Sequence, residues 1–184
     1  MDLFTAIAER YSYRGEMEQT RIPRTTLKQI VECGLKAPSG KNAQTTEFVI
    51  IDDDGILLEL HKLHPANKAM QQAPAMIACI VDKVPEKIYA NYDFQLEDCA
   101  AAVQNILLAI TALGYASVWI DGWLRSDGRS DAIAQLINLP PTKKIQILLP
   151  VGKPSTEGPR KEKKPFAQRA WFNGYMEPIS THTQ

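Results

Sequence analysis

The sequence predicts an α+β or α/β domain of about four core strands covered by helices, and three observations carry that reading. Helical and strand patterns roughly alternate along the chain, with no internal repeat. One strand pattern, Ala75–Val81, is apolar without a break, as a central strand buried on both faces requires. One helical pattern, running from Ala102 through Val103, Ile106, Leu107 and Ile110 to Leu113, carries an apolar stripe broad enough to cover such a sheet.

The 184 residues suit a single domain with a real core, spanning 1–184. Apolar residues make up 45% and charged residues 23%, an ordinary globular balance. Lys and Arg number 21 against 21 Asp and Glu, which argues against a general nucleic-acid binder and leaves little charge repulsion against self-association. Cys33, Cys79 and Cys99 form no C-x-x-C pair, and each lies in an apolar pattern. They are expected as buried thiols in a reducing, cytoplasmic compartment. The start, Met1-Asp2-Leu3-Phe4, lacks a basic n-region, so no signal peptide is read. Apolar runs such as Ile77–Val81 are too short to span a bilayer.

Taken in order, Leu3, Phe4, Ile7 and Ala8 recur at helical spacing and predict an amphipathic helix over 2–10. Arg10-Tyr11-Ser12-Tyr13-Arg14 follows; if extended, it sets Arg10, Ser12 and Arg14 on one side. That face suits a phosphate, and a solvated surface strand fits the same pattern. Pro23 and the threonines after it suit a helix start, and Leu27, Ile30, Val31 and Leu35 make its stripe.

The polar, Gly-containing loop Ala37–Gln44 then hands over to a strand at Phe48–Ile51, a good place to hold a polar ligand. Asp52-Asp53-Asp54-Gly55 lacks the spacing and closing glutamate of a calcium loop. His61 and His64 are expected as exposed helix histidines rather than ligands, because no third ligand clusters with them. Residues 82–94 read as a connection or lid. Gln104 and Asn105 need partners if they are buried. Further strands are expected at Ala116–Ile120, ending at Asp121-Gly122-Trp123, and at Ile145–Leu149, with a short helix over 129–137 between them. Over residues 153–169 six basic residues stand against Glu157 and Glu162; a phosphate contact and a solvated tail fit this equally. Trp171, Phe172 and Tyr175 are too apolar for a free tail and point to a terminus that packs on something, a partner subunit being one option.

Gly34…Gly40-Lys41 mimics a P-loop, but five residues separate the glycines where four are required, and Asn42 stands where Ser or Thr would bind magnesium. No G-x-G-x-x-G or G-x-S-x-G is present.

Four segments in this order resemble the FMN-dependent nitroreductase family: Arg10–Arg14; Ala37-Pro38-Ser39-Gly40-Lys41-Asn42-Ala43-Gln44; Gln104-Asn105 through Leu113-Gly114 to Ser117-Val118-Trp119-Ile120; and Val151-Gly152-Lys153-Pro154 with its basic run. The resemblance implies an α+β fold with a central, mainly antiparallel sheet and an intertwined homodimer holding FMN in its interface. It assigns Arg10, Tyr11, Ser12 and Arg14 to the flavin from one subunit, with Arg14 near the N1–C2 region. It assigns Pro38, Ser39, Gly40 and Asn42 from the other subunit, the Asp121-Gly122 backbone to the N5–O4 edge, and Lys161 and Lys163 to the phosphate. Residues from about 155 to 184 would pack on the partner.

The implied activity is hydride transfer from NAD(P)H through the flavin to a nitroaromatic, quinone or similar small acceptor by a ping-pong mechanism, with no side-chain nucleophile and no metal. Tyr89, Tyr92, Trp123 or a C-terminal aromatic would flank the acceptor. Alternatives are a specialised flavin enzyme of the same fold (enoate reductase, dehalogenase or dehydrogenase) and a non-catalytic flavin-binding protein. The chain departs from the family at Thr45-Thr46, where many members have Pro and an aromatic.

Overall fold

A computed structural model describes residues 1–64 and 66–175. The elements run α1 (Leu3–Glu9), α2 (Arg24–Leu35), β1 (Glu47–Ile51), α3 (Asp54–Leu63), α4 (Lys68–Gln72), β2 (Ala75–Asp82), α5 (Gln95–Ala112), β3 (Ala116–Ser117), α6 (Arg129–Leu136) and β4 (Lys143–Gly152). Short 3₁₀ turns lie at Gly40–Asn42, Gly122–Arg125 and Phe166–Gln168. The four strands form one sheet in the order β1-β2-β4-β3, with every pair antiparallel. Among the described residues no helix is long and apolar enough to cross a membrane.

The unbroken apolar run of β2 is explained by its place. It lies between β1 and β4, and all but its last residue is buried. Alternate residues feed two cores. Met76, Ala78 and Ile80 join Leu57, Leu60 and Met70 from α3 and α4 and Ile133 from α6. Ala75, Ile77, Cys79 and Val81 join Leu27 and Ile30 from α2 and Val103, Ile106 and Ile110 from α5. An antiparallel sheet with helices packed on both faces is the α+β architecture.

The acidic turn before α3 has structural work for all three carboxylates. Asp53 caps the helix, accepting from Ile56 N at 3.0 Å. Asp52 takes a fork of two bonds from Arg24 at 2.6 and 2.8 Å, and Asp54 pairs with Arg21 at 2.7 Å.

The structure corrects four expectations. The strand expected over Ala116–Ile120 is only Ala116–Ser117; Ile120 adds a single bridge to Leu148. Val118 and Ile120 are still buried, so the apolar pattern reported burial correctly while the ladder stops. His61 and His64 are half-buried rather than exposed: His61 Nε2 meets the Ala73 carbonyl at 3.0 Å, and His64 stacks on Trp123. Cys33 is only half-buried, unlike Cys79 and Cys99. On α1 only Ala6 is buried; Leu3, Phe4 and Ile7 are 61%, 82% and 51% exposed, so the helix turns its apolar stripe outward. Of the polar pair on α5, Gln104 is exposed, and Asn105 Nδ2 donates to the Cys33 carbonyl at 3.2 Å.

Helices α2 and α5 touch closely because Gly34 has no side chain. A Cβ there would lie 2.7 Å from Ile106 Cδ1 and Cγ1 and 3.3 Å from the Ala102 carbonyl oxygen. Ile106 is fully buried and has nowhere to retreat. Gly34→Val is therefore expected to destabilise the fold by about 2–3 kcal/mol, read as a lower urea midpoint at unchanged slope.

Candidate functional site

The site begins where α1 ends. Arg10 leaves the helix in an extended conformation, and Ser12 makes a single parallel bridge to Ser117, with Tyr13 N donating to the Ser117 carbonyl at 2.9 Å. The segment lies along β3 as an added edge. Tyr13 is buried while Arg14 is exposed, as alternation in an extended chain requires. The Tyr11 and Tyr13 rings meet edge to face at 6.1 Å.

The C-terminal run comes back to this edge. Glu18 N donates to the Lys153 carbonyl and Ser155 N to the Glu16 carbonyl, both at 2.9 Å. Gly158 N donates to the Tyr11 hydroxyl at 3.2 Å. Arg160 pairs with Glu9 at 2.5 Å and lies 4.8 Å over the Tyr11 ring. Two basic stretches separated by nearly the whole chain are thus fastened together. Among the described residues Arg14 donates only to the Ser12 carbonyl, at 3.3 Å, and Arg10, Lys161 and Lys163 form no ion pair. Arginines left without a carboxylate partner at such an edge suit an anion.

The Ala37–Thr46 loop is the second part. Lys41, Asn42 and Gln44 have φ of 47°, 58° and 52°, a left-handed backbone that costs about 1–2 kcal/mol per non-glycine residue. Besides its own turn bonds, bonds to side-chain oxygens hold it. Gly40 N donates to Asp98 Oδ1 at 2.9 Å, Thr45 Oγ1 to Asp98 Oδ2 at 2.8 Å, and Gln44 N to Ser39 Oγ at 2.9 Å. Gly40 is required by contact: a Cβ there would sit 2.8 Å from Phe94 Cδ2. Pro38 is exposed, and Ser39 and Gly40 are partly so. The 82–94 stretch, expected as a connection or lid, closes through a tight turn in which Tyr89 and Tyr92 exchange backbone bonds of 3.1 and 2.9 Å. Its tip is tied to the loop, with Lys41 Nζ lying 4.9 Å over the Tyr89 ring.

The third part is the turn at Asp121-Gly122. Asp121 takes both bonds of an Arg125 fork at 2.7 and 2.8 Å. Asp121, Asp98 and Thr46 are all within electrostatic or hydrogen-bonding reach of the Cys99 thiol, so this turn, the start of α5 and the end of the loop converge. The Thr46 hydroxyl is buried with no conventional hydrogen-bond partner. Burial pushes the Cys79 thiol, which faces Cys99, well up from its ordinary value.

Trp123, partly buried, already holds two partners: His64 stacks on it at 4.5 Å and 13°, and Arg129 lies 4.9 Å over it. Burial, and then the Arg129 charge, hold the His64 pKa below its ordinary 6.5. The fold thus disfavours the protonated ring. The stability this contributes is complete above that pH and lost as pH falls through it toward the lower folded value, because the unfolded chain binds the proton first. A ring-proton NMR titration is expected to show His64 titrating below an unperturbed histidine, and His64→Gln to flatten the stability decline on that acid limb.

Sequence reasoning missed Arg160 and Asp98. Arg160 was one cation among several, and nothing local distinguishes it from Lys161. Asp98 looks like an ordinary acidic residue in the first turn of a helix; its burial to 6% exposure appears only in three dimensions. Asn67, buried at the start of α4, is used as its cap and accepts from Met70 N at 3.2 Å.

Fold and site together define a class: an α+β protein with arginines beside its sheet edge that have no carboxylate partner among the described residues, and a polar loop bonded to the start of α5. The chain belongs to the Nitroreductase family, a family of oxidoreductases, whose pattern matches residues 7–153. A Methanothermobacter thermautotrophicus protein provisionally named NADH dehydrogenase/NAD(P)H nitroreductase is 28% identical over 84% of this chain and 78% of its own length. A Bacteroides thetaiotaomicron structure given the same provisional name superposes with a TM-score of 0.78 at 27% identity, over 94% of this chain and 98% of that one. A Bacteroides fragilis nitroreductase solved with bound FMN shares the fold, with a TM-score of 0.74 at 24% identity over 93% and 98% of the two chains.

Proposed function

We propose that this protein is a homodimeric FMN oxidoreductase taking hydride from NAD(P)H. The observation that carries the reading is the cationic edge: among the described residues Arg10 and Arg14 have no carboxylate partner, and the Arg160–Glu9 pair brings the run that carries Lys161 and Lys163 back to the end of α1. A flavin mononucleotide fits that edge because its phosphate is a dianion that needs such forks. Arg10, Ser12, Lys161 and Lys163 hold the phosphate and ribityl oxygens with Tyr11 at their side, and Arg14 supplies the cation beside the ring. Asp121-Gly122 offers backbone: a Cβ at Gly122 would meet nothing within 4 Å, so a planar ligand can approach there, and the Arg125 fork holds the Asp121 carboxylate. Bound there, FMN would supply the two-electron chemistry for a ping-pong exchange between NAD(P)H and a nitroaromatic, quinone or similar electron-poor acceptor.

The second subunit contributes Pro38, Ser39, Gly40 and Asn42. Support for a dimer comes from apolar surface that one chain leaves open. Besides the stripe of α1, Phe166, Phe172 and Tyr175 are 62%, 78% and 75% exposed although Phe166 meets Phe172 at 5.8 Å and Trp171 meets Tyr175 at 4.3 Å. In this reading 1–184 is one FMN-binding domain, and the segment from about 155 packs on the partner; its residues 176–184 lie outside the described ones. Three free cysteines suit a cytoplasmic setting.

The test is flavin loading followed by anaerobic stopped-flow. The protein should take up FMN, NADH or NADPH should bleach it, and nitroaromatics or quinones should restore its colour. A protein that stays colourless with FMN, or takes it up and is bleached by neither donor, would overturn the reading.

A further inference from the structure

Thr45 breaks its family's habit, and the structure gives its hydroxyl a partner. Asp98 is 6% exposed and forms no ion pair among the described residues. Burying a carboxylate without a cation is costly, and the fold meets that cost with two hydrogen bonds and the positive end of α5. Both bonds come from one loop, at Gly40 N and Thr45 Oγ1, so Asp98 clamps the loop on either side of its left-handed stretch at Lys41, Asn42 and Gln44. Close packing does not fill the space beside the loop, because Pro38, Ser39 and Thr45 line, with Leu35 and Ala102, an open pocket of about 150 Å³.

We propose that Asp98 and Thr45 form a clamp that presets the Pro38–Asn42 loop for the flavin carried by the partner subunit, which makes both of them positioning residues. The inference rests on the flavin reading above. Neither side chain needs to touch the cofactor. Their effect is to hold Ser39, Gly40 and Asn42 in one shape before binding, so that FMN does not have to order the loop. Thr45→Val removes the hydroxyl with little change of shape, and Thr45→Ser restores it. Asp98→Ala removes the shared acceptor.

The experiment titrates FMN into apo-protein by flavin fluorescence, with dimer mass and melting temperature measured on each variant. Thr45→Val is expected to weaken FMN binding about fivefold at unchanged dimer mass, and Thr45→Ser to return it to within about twofold of the parent. In an Asp98→Ala background the Thr45→Val effect should vanish, because the two act through one bond. Thr45→Val binding FMN as the parent does, Thr45→Ser failing to rescue, or additive effects in the double variant would each overturn the clamp. A parent protein that binds no FMN would instead overturn the flavin reading on which the clamp rests.

Discussion

Arg10→Glu is expected to raise the FMN dissociation constant on the order of 100-fold or more, while the apo-protein melts where the parent does. Arg10 is half-buried at the end of α1 and forms no ion pair among the described residues, so its charge contributes little to the fold. A charge-assisted bond to a phosphate is worth about 1.5–3 kcal/mol. Reversal adds repulsion between a carboxylate and a dianion, beside Glu9, which already occupies Arg160. Raised salt should weaken parent binding and narrow the gap. Parent-like FMN affinity in the variant would remove Arg10 from the phosphate site.

The second large effect is expected from the outward face of α1. Phe4→Asp combined with Ile7→Asp should convert a dimer into a monomer by light scattering and abolish FMN uptake with it. Both side chains are exposed in the single chain, so the subunit itself loses little packing and its circular dichroism should be retained. In a dimer they would bury apolar area, and two desolvated carboxylates would oppose this by several kcal/mol. Loss of the flavin along with the dimer separates a shared site from one that a single chain completes. A monomer that still binds FMN tightly would place the whole site in one subunit.

How much was legible in the sequence depended on range. Short-range patterns were read well: the buried run of β2, the stripe of α5 from Ala102 to Ile110 and the helix starting near Pro23 stand where periodicity put them, while Leu113, expected to end the stripe, is exposed just past the helix. Patterns reporting burial misled where burial and pairing part. Val118 and Ile120 are buried as a strand would be, yet the ladder with β4 ends at Ser117. Leu3, Phe4 and Ile7 formed a correct helical stripe with the wrong destination, because periodicity tells which residues share a face and not what covers it. The histidines were misjudged because a stack on Trp123 depends on a residue 59 positions further along the chain.

The sequence alone determined the chemistry on offer: arginines and a serine after α1, lysines near the C-terminus, a polar loop before β1, and neither a nucleophile elbow nor a dinucleotide-binding fingerprint. Side-chain type and local period suffice for that. Only the tertiary structure decided that the two basic stretches share an edge, through Arg160 on Glu9 and Tyr11, and that Asp98 grips the loop through Gly40 and Thr45. Those contacts span from 53 to 151 positions of chain. They exist because the antiparallel β1-β2-β4-β3 sheet brings β3 and the C-terminal run to the same side as α1, and sheet order is set by packing whole elements together.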